Sequence, residues 1–339
     1  MIPTKTNPDI PNNIQTRPSP DKYILSEDEP LYRAIMLALR FNQPLLLTGE
    51  PGTGKTLLAE KVAYQLHQKT KEVGDKKARF AESPLRFNTK TTSTAKDLFY
   101  TYDAIGHFQS ANIKLEKGDQ VKTEKDFIEL QALGKAIALA NPKTTYSDYF
   151  KWKMPPHPLS SVVLIDEIDK APKDFTNDIL NEIERQEFYI KEQDNIRFEL
   201  GNNNPQRILI IMTSNSEKNL PDAFLRRCVF FHIDFPDEDK MLKILKAQIS
   251  NEEDATRLSN LQGITQLFDQ LRKIAPRKKP ATAELVAFTK LMEMDGVLDS
   301  KDPILHNWFI ENLSLLAKTD SDYKTLTTFL EGELAKSKK

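Results

Sequence analysis

A chain of 339 residues is longer than one hydrophobic core usefully fills, so the sequence asks for two domains, or for one large domain with an appendage. Its formal net charge of -1, with 39% hydrophobic and 29% charged residues, excludes disorder throughout and a basic surface spread over the whole molecule; nucleic-acid or membrane contact is left to local patches. The single cysteine, Cys228, excludes an internal disulfide and a cysteine metal pair, and fits a buried inert thiol in a reducing compartment.

Residues 1–20 read as a mobile arm, because prolines at 3, 8, 11, 18 and 20 block helix and ladder hydrogen bonding. The arm lacks the apolar core of a signal peptide, and no later run approaches the roughly 20 apolar residues of a membrane span, so a cytoplasmic protein is predicted. Order is expected from near Tyr23. A helical pattern over Leu31 to Leu39 leads to an apolar strand, Pro44 to Thr48, then to GEPGTGKT and a second helical pattern, Thr56 to Gln68. Further β-leaning runs cover Leu85 to Thr89, Val162 to Asp166, Ile208 to Thr213 and Val229 to Phe235, with a helix over Phe175 to Gln186. Several of these strands are apolar on both faces and alternate with helices, the pattern of a parallel sheet covered on both sides. The predicted fold is a doubly wound α/β domain over residues 21–236 with five parallel strands.

Residues 90–160 exceed what one crossover needs and read as an insertion. It holds helical stretches over Ala95 to Phe108 and Asp126 to Ala140, a lysine-rich loop, and the proline-laden KWKMPPHPLSS. EFYIKEQDNIRFEL, Glu187 to Leu200, reads as two β-leaning runs around a polar turn. From Asp237, a predicted N-cap after Pro236, only helical patterns follow: Glu238 to Ile249, Leu258 to Ile274, Ala281 to Met294, Asn307 to Lys318, and an amphipathic stretch from Tyr323. A helical domain is therefore predicted over 237–339. The five histidines show no metal-ligand spacing, and Trp152 and Trp308 read as buried, with interface anchoring as the alternative.

The stretch Gly49, Glu50, Pro51, Gly52, Thr53, Gly54, Lys55, Thr56 fits the phosphate-loop pattern, continued by Leu57 into the helix. Glycines let backbone N–H groups turn inward around phosphate oxygens at a helix N-terminus, whose dipole favours anions. Lys55 would reach the β and γ phosphates of ATP, and the Thr56 hydroxyl would ligate Mg²⁺. SVVLIDEIDKAP places Asp166 and Glu167 at the carboxyl end of a strand, the edge where open α/β sheets keep ligands. Asp166 would hold Mg²⁺ through its water shell and Glu167 would polarise the attacking water; Asp169 reads as the acidic partner of a helix dipole.

With these residues the chain resembles the AAA+ ATPases, and within them the MoxR-like group. The resemblance runs through GEPGTGKT, LIDEIDKAP and ILIIMTSNSEKNLPDAFLRRC, and covers most of residues 21–236, with a helical lid behind. It implies that Asn215 senses the γ-phosphate and orients water; a turn-forming asparagine is the alternative. It also implies a homo-oligomeric, hexameric ring in which Arg227 enters the neighbouring subunit's site, with Arg226 as a secondary contact. Two arginines after a short helix are also ordinary dipole partners, and both readings stand at this point. The lid of the family supplies one more arginine; APRKKPATAELVAF departs from that motif, so either Arg277 reaches the γ-phosphate or Arg277, Lys278 and Lys279 form a solvated basic turn. Tyr23 and Ile24 lie where similar proteins wrap the adenine, and core packing explains them equally. The resemblance further implies a hairpin over 187–200 and a separate partner, a von Willebrand factor A-type or other client protein. A nucleotide-dependent assembly switch with little turnover, and a DNA-acting motor of the restriction or clamp-loader type, are the alternatives; the neutral charge and the basic stretch free of aromatics weigh against nucleic acid.

Overall fold

The computed structural model describes residues 19–72, 79–112, 122–141, 155, 157–201, 204–215, 220–250, 254–300 and 305–337. The chain divides into two units, one spanning Leu25–Phe235 and the other Pro236–Lys339 with the segment that ends at Ile24.

In the first unit, α1 (Pro30–Phe41) opens on a proline at its first position, where the missing N–H costs nothing, and closes on Asn42 in the left-handed conformation. Then follow β1 (Leu45–Thr48), α2 (Lys55–Glu72), β2 (Leu85–Asn88), β3 (Tyr100–Tyr102), α3 (Ala104–Asn112), β4 (Ile128–Leu130) and α4 (Ala132–Ala140). The rest of the unit comprises β5 (Ser161–Asp166), α5 (Lys173–Arg185), β6 (Glu187–Ile190), β7 (Ile196–Glu199), β8 (Ile208–Ser214), α6 (Asp222–Leu225) and β9 (Val229–His232). Five strands form one parallel sheet in the order β2-β5-β8-β1-β9. Every residue of β1 and β8 is buried, as strands covered on both faces must be. Pairing of Asn88 with Asp166, and of Thr48 with both Ser214 and His232, brings the carboxyl ends of all five strands to one edge. That edge receives the chemistry.

The insertion differs from the sequence expectation. Neither Ala95–Phe108 nor Asp126–Ala140 is continuous helix: each contains a three-residue strand, and β3 pairs antiparallel with β4, Tyr100 facing Leu130. Ile128 and Leu130 are buried while Glu129 between them is exposed, a period of two too brief to stand out from the helical pattern of ALGKAIALA that follows. Helix α4 packs unusually close to the chain beside it; a Cβ on Gly134 would fall 2.0 Å from the carbonyl oxygen of Phe99. The hairpin β6–β7 is present, with Phe188 facing Phe198. One face of it is fastened to the insertion: Phe188, stacked on Phe198 across the hairpin at 5.0 Å, also stacks on Phe99 at 5.1 Å between ring centroids, and the Tyr100 hydroxyl donates to Glu192 at 2.8 Å. Most of the predicted lysine-rich loop, and the start of KWKMPPHPLSS with Trp152, fall outside the described residues.

The second unit holds α7 (Glu238–Gln248), α8 (Ala255–Ile274), α9 (Thr282–Met294), α10 (Leu305–Glu311) and α11 (Asp320–Ser337). Asp237 caps α7 as expected, accepting the Lys240 N–H at 2.8 Å. The single helix predicted over Asn307 to Lys318 is broken: α10 stops at Glu311, and a short 3-10 turn over Leu313–Leu315 folds Leu313 and Leu316 into the core. Phe288 packs against Trp308 and Phe309 at 4.9 and 4.6 Å, and the buried Trp308 donates its indole N–H to Asp295.

The unit boundary also differs from the expected start at residue 21. Lys22 Nζ donates to the Gln248 carbonyl at 3.5 Å and Gln248 Nε2 returns a bond to the Lys22 carbonyl at 3.2 Å. This exchange ties the residues before Leu25, Tyr23 and Ile24 among them, to the helical unit. The arm expected over 1–20 lies almost wholly outside the described residues, and among the described residues no helix is long and apolar enough to cross a membrane.

Candidate nucleotide site

The loop between β1 and α2 is built around backbone geometry. A Cβ at Gly49 would meet the Ile233 carbonyl oxygen at 2.5 Å, so glycine is what allows the loop to start flush against the end of β9. Gly54 takes a φ of 89°, which turns the chain into α2 at a conformation that side chains resist. Between them Glu50, Pro51 and Gly52 form an exposed crest, and Thr53 is buried with its hydroxyl donating to the Glu50 carbonyl at 2.9 Å. The Leu58 N–H makes the first helical bond, to Gly54, leaving the amides of Lys55, Thr56 and Leu57 in the open first turn of α2.

Lys55 is buried under the loop, its ammonium donating to the carbonyls of Gly49 and Glu50 at 2.7 and 2.9 Å. Burial lowers its pKa from the ordinary lysine value, against the pull of Asp166, Asp169 and Glu167 in the opposite direction. A buried cation whose hydrogen bonds go to carbonyls is a ready partner for an anion. In front of it the Thr56 hydroxyl lies 3.2 and 3.1 Å from the two oxygens of Asp166, which joins the start of α2 to the end of β5.

Glu167, next in the chain, adopts φ 57° and ψ 50°, a left-handed corner that a residue with a side chain enters at some cost. Its carboxylate is 2.6 Å from the ammonium of Lys170, and both side chains are about 41% exposed. Asp169 is 2% exposed and accepts the Asn215 N–H at 3.2 Å, linking the turn after β5 to the end of β8. Its sequence-based reading as a helix-dipole partner is therefore incomplete, because the carboxylate serves the neighbouring strand.

Sequence reasoning passed over Thr213. This residue is 1% exposed, donates its hydroxyl proton to Asp166 Oδ1, and accepts the Glu167 N–H at 2.9 Å. The available signal was a hydroxyl ending the apolar run Ile208–Met212, one strand away from two acids.

Arg226 and Arg227 are exposed in the turn between α6 and β9, with backbone N–H groups bonded to Asp222 and Phe224. Beside them, burial pushes the Cys228 thiol up to about 12, and its Sγ–H points at the Phe224 carbonyl at 3.2 Å. Arg277, in the helical unit, has an exposed side chain on an anchored backbone: Asp322, fully buried, accepts the N–H groups of Arg277 and Lys278 at 2.9 and 3.2 Å. Burial raises the Asp322 carboxyl, and hydrogen bonds from Thr319 and those two amides more than reverse this, holding it below the usual carboxylate range. Tyr23 and Ile24 are half-buried in the same unit.

The donor set suits a magnesium nucleotide. Among the described residues there is no cluster of three or more His, Cys, Asp or Glu arranged around a metal position. Mg²⁺ is commonly held instead by one or two protein oxygens together with phosphate and water, and the Thr56 hydroxyl and Asp166 carboxylate offer that pair of hard oxygens beside a buried lysine.

Among solved structures, domain III of the Thermotoga maritima replication initiation protein DnaA is 11% identical, with 91% of this chain and 100% of that chain covered at a TM-score of 0.45. The FIGL-1 AAA domain in complex with ADP is 18% identical over 92% of this chain and 89% of that one, TM-score 0.42. C. elegans PCH-2 is 17% identical over 77% and 66%, TM-score 0.36. No curated protein matches the chain. The family profile described as AAA domain (dynein-related subfamily) matches residues 44–228, from the residue before β1 to the residue before β9. Since that match takes in more than half of the sequence and the whole phosphate-loop corner, the chain belongs to the AAA domain family, dynein-related subfamily.

Proposed function

We propose that this protein is a MoxR-like AAA+ ATPase that hydrolyses Mg-ATP as an oligomeric, hexameric ring and uses the cycle to remodel a separate protein partner. The carrying observation is the convergence of Thr56 on Asp166 at 3.1 Å in front of the buried Lys55. In this reading Lys55 exchanges its two carbonyl partners for the β and γ phosphates, while the open amides of the first turn of α2 hold the phosphate oxygens. Mg²⁺ would be held by Thr56 and, through its water shell, by Asp166, and would supply neutralisation of phosphate charge. Glu167 leaves Lys170 and polarises the attacking water, with Asn215 orienting it from the end of β8. Arg227, exposed on its turn, reaches the site of the next subunit, with Arg226 as its secondary neighbour. Arg277 on its anchored loop contacts the γ-phosphate, and Tyr23 and Ile24 pack on the base. LIDEIDKAP and the β6–β7 hairpin favour the MoxR-like group, whose partner would be a von Willebrand factor A-type or other client protein.

One contact favours a second reading, a nucleotide-dependent assembly switch with little turnover: the Lys170 ammonium, 2.6 Å away, occupies the Glu167 carboxylate that a general base would need to keep for water. Glu167→Gln decides between the two. A motor loses about 10²- to 10⁴-fold in turnover while retaining ATP and its ring, as expected when a general base is removed. A switch behaves like its parent. Absence of Mg-dependent ATP turnover in the purified parent protein, with no assembly when nucleotide is added, would overturn the ATPase reading.

A further inference from the structure

We propose that Thr213 is a positioning residue for both acids of the site, its single hydroxyl setting the orientation of Asp166 and the placement of Glu167 together. This rests on the ATPase reading above and adds to it a residue outside the loop and the acid pair. A threonine hydroxyl has one proton and two lone pairs. Here the proton goes to Asp166 Oδ1 and a lone pair receives the Glu167 N–H at 2.9 Å, so the rotor is held by two consecutive residues at once.

The sheet explains why this position can reach both. The last paired residues of β5 and β8 are Ile165 and Met212, so Thr213 stands one step beyond the ladder, level with Asp166. At that step the chain after β5 leaves the sheet through the left-handed corner at Glu167. The corner's N–H has turned away from the ladder and needs an acceptor in a buried setting; Thr213, 1% exposed, supplies it. The same hydroxyl engages Oδ1 of Asp166, while Thr56 lies within reach of both oxygens. Removing the hydroxyl frees the metal-binding carboxylate to rotate and releases the backbone that carries the water-polarising one.

The test compares Thr213→Val, which keeps the shape without the hydroxyl, with Thr213→Ser, which keeps the hydroxyl, in the full chain. Partners that orient a metal ligand are typically worth about 10- to 100-fold in metal affinity or activity, so kcat of Thr213→Val falls by that factor and its half-saturating Mg²⁺ concentration rises, while Thr213→Ser stays near the parent. Binding of a fluorescent ADP analogue gives a readout independent of turnover: without Mg²⁺ the three proteins bind alike, and with Mg²⁺ the Val variant alone loses most of the metal-dependent gain. Should Val fail to fold, Thr213→Ala is measured in its place. Unchanged Mg²⁺ dependence in the hydroxyl-free variant, or a Ser variant as impaired as the Val variant, overturns the positioning role. A parent that binds the Mg-dependent analogue yet turns over no ATP overturns the ATPase reading instead, and the binding comparison still decides the role of Thr213 towards Asp166.

Discussion

Two parts of the α/β unit were built under different rules. Under the proposed function, the corner formed by the phosphate loop, Thr56 and the end of β5 takes its residues from ligand chemistry: a side chain at Gly49 would strike Ile233, Lys55 is a cation placed where burial opposes its charge, and Thr56 meets Asp166. The insertion and its hairpin take their residues from packing: Phe99, Phe188 and Phe198 stack, Gly134 admits a carbonyl, and Glu192 ties the turn to Tyr100. The first arrangement spends stability to hold a site open, whereas the second gains it by closing gaps. The two regions should therefore be separable by mutation.

Lys55→Ala gives the largest effect and breaks the corner alone. Loss of a cation from a phosphoryl clamp removes at least about 100-fold of turnover, and Mg-ATP should cease to raise the melting temperature. The melting transition itself should persist, because the buried ammonium makes bonds to two loop carbonyls and holds no element of the sheet together. A variant that no longer folds would show that the corner is a structural keystone, and the contrast with the insertion would disappear.

Gly134→Ala is the reciprocal experiment. Its Cβ would come within 2.0 Å of a backbone carbonyl, so the backbone must move, and overfilling a packed core costs about 1–3 kcal/mol, here towards the upper end. Urea unfolding should shift by that amount, while the folded fraction retains its affinity for nucleotide. Lost affinity at unchanged stability would mean that the insertion is coupled to the site, and that packing there serves the chemistry after all.

The same division decides what could be read from the sequence. The meeting of Gly49, Lys55, Thr56 and Asp166 was legible because the loop spacing and an apolar strand ending in acids bring them to one sheet edge, and the roles proposed for them rest on that spacing. Of the five parallel strands, the central β1, β5 and β8 were legible because strands buried on both faces carry unbroken apolar runs, whereas the edge strands β2 and β9 are half-buried and showed only β-leaning residues. Three-residue strands carry no such record: Tyr100–Tyr102 is a strand because β4 lies beside it, and local pattern over so short a run favours helix equally. Thr213 was hidden for a related reason, since a threonine at a strand end is what β propensity alone supplies. Only the pairing of β5 with β8 reveals that it faces two acids. The attachment of Tyr23 and Ile24 to the helical unit depends on Lys22 meeting Gln248, partners 226 residues apart, which no local pattern encodes.

The mildest test changes no residue. Cys228 stands between Arg227 and β9, and burial raises its thiol to about 12, because the thiolate would lose water without gaining a cation. The sign follows directly: a raised thiol pKa means less thiolate at any pH below it, so at pH 8 alkylation of the folded protein should run about 10³-fold slower than that of an ordinary cysteine. Denaturant should restore the ordinary rate. Iodoacetamide labelling followed by mass spectrometry reads both rates on one sample. Fast labelling of the folded chain would mean that the turn carrying Arg226 and Arg227 opens readily, so that the arginines assigned to a neighbouring subunit sit on a mobile element. Slow labelling that stays slow with Mg-ATP present would instead leave Arg227 on a rigid turn, placed before any partner subunit arrives.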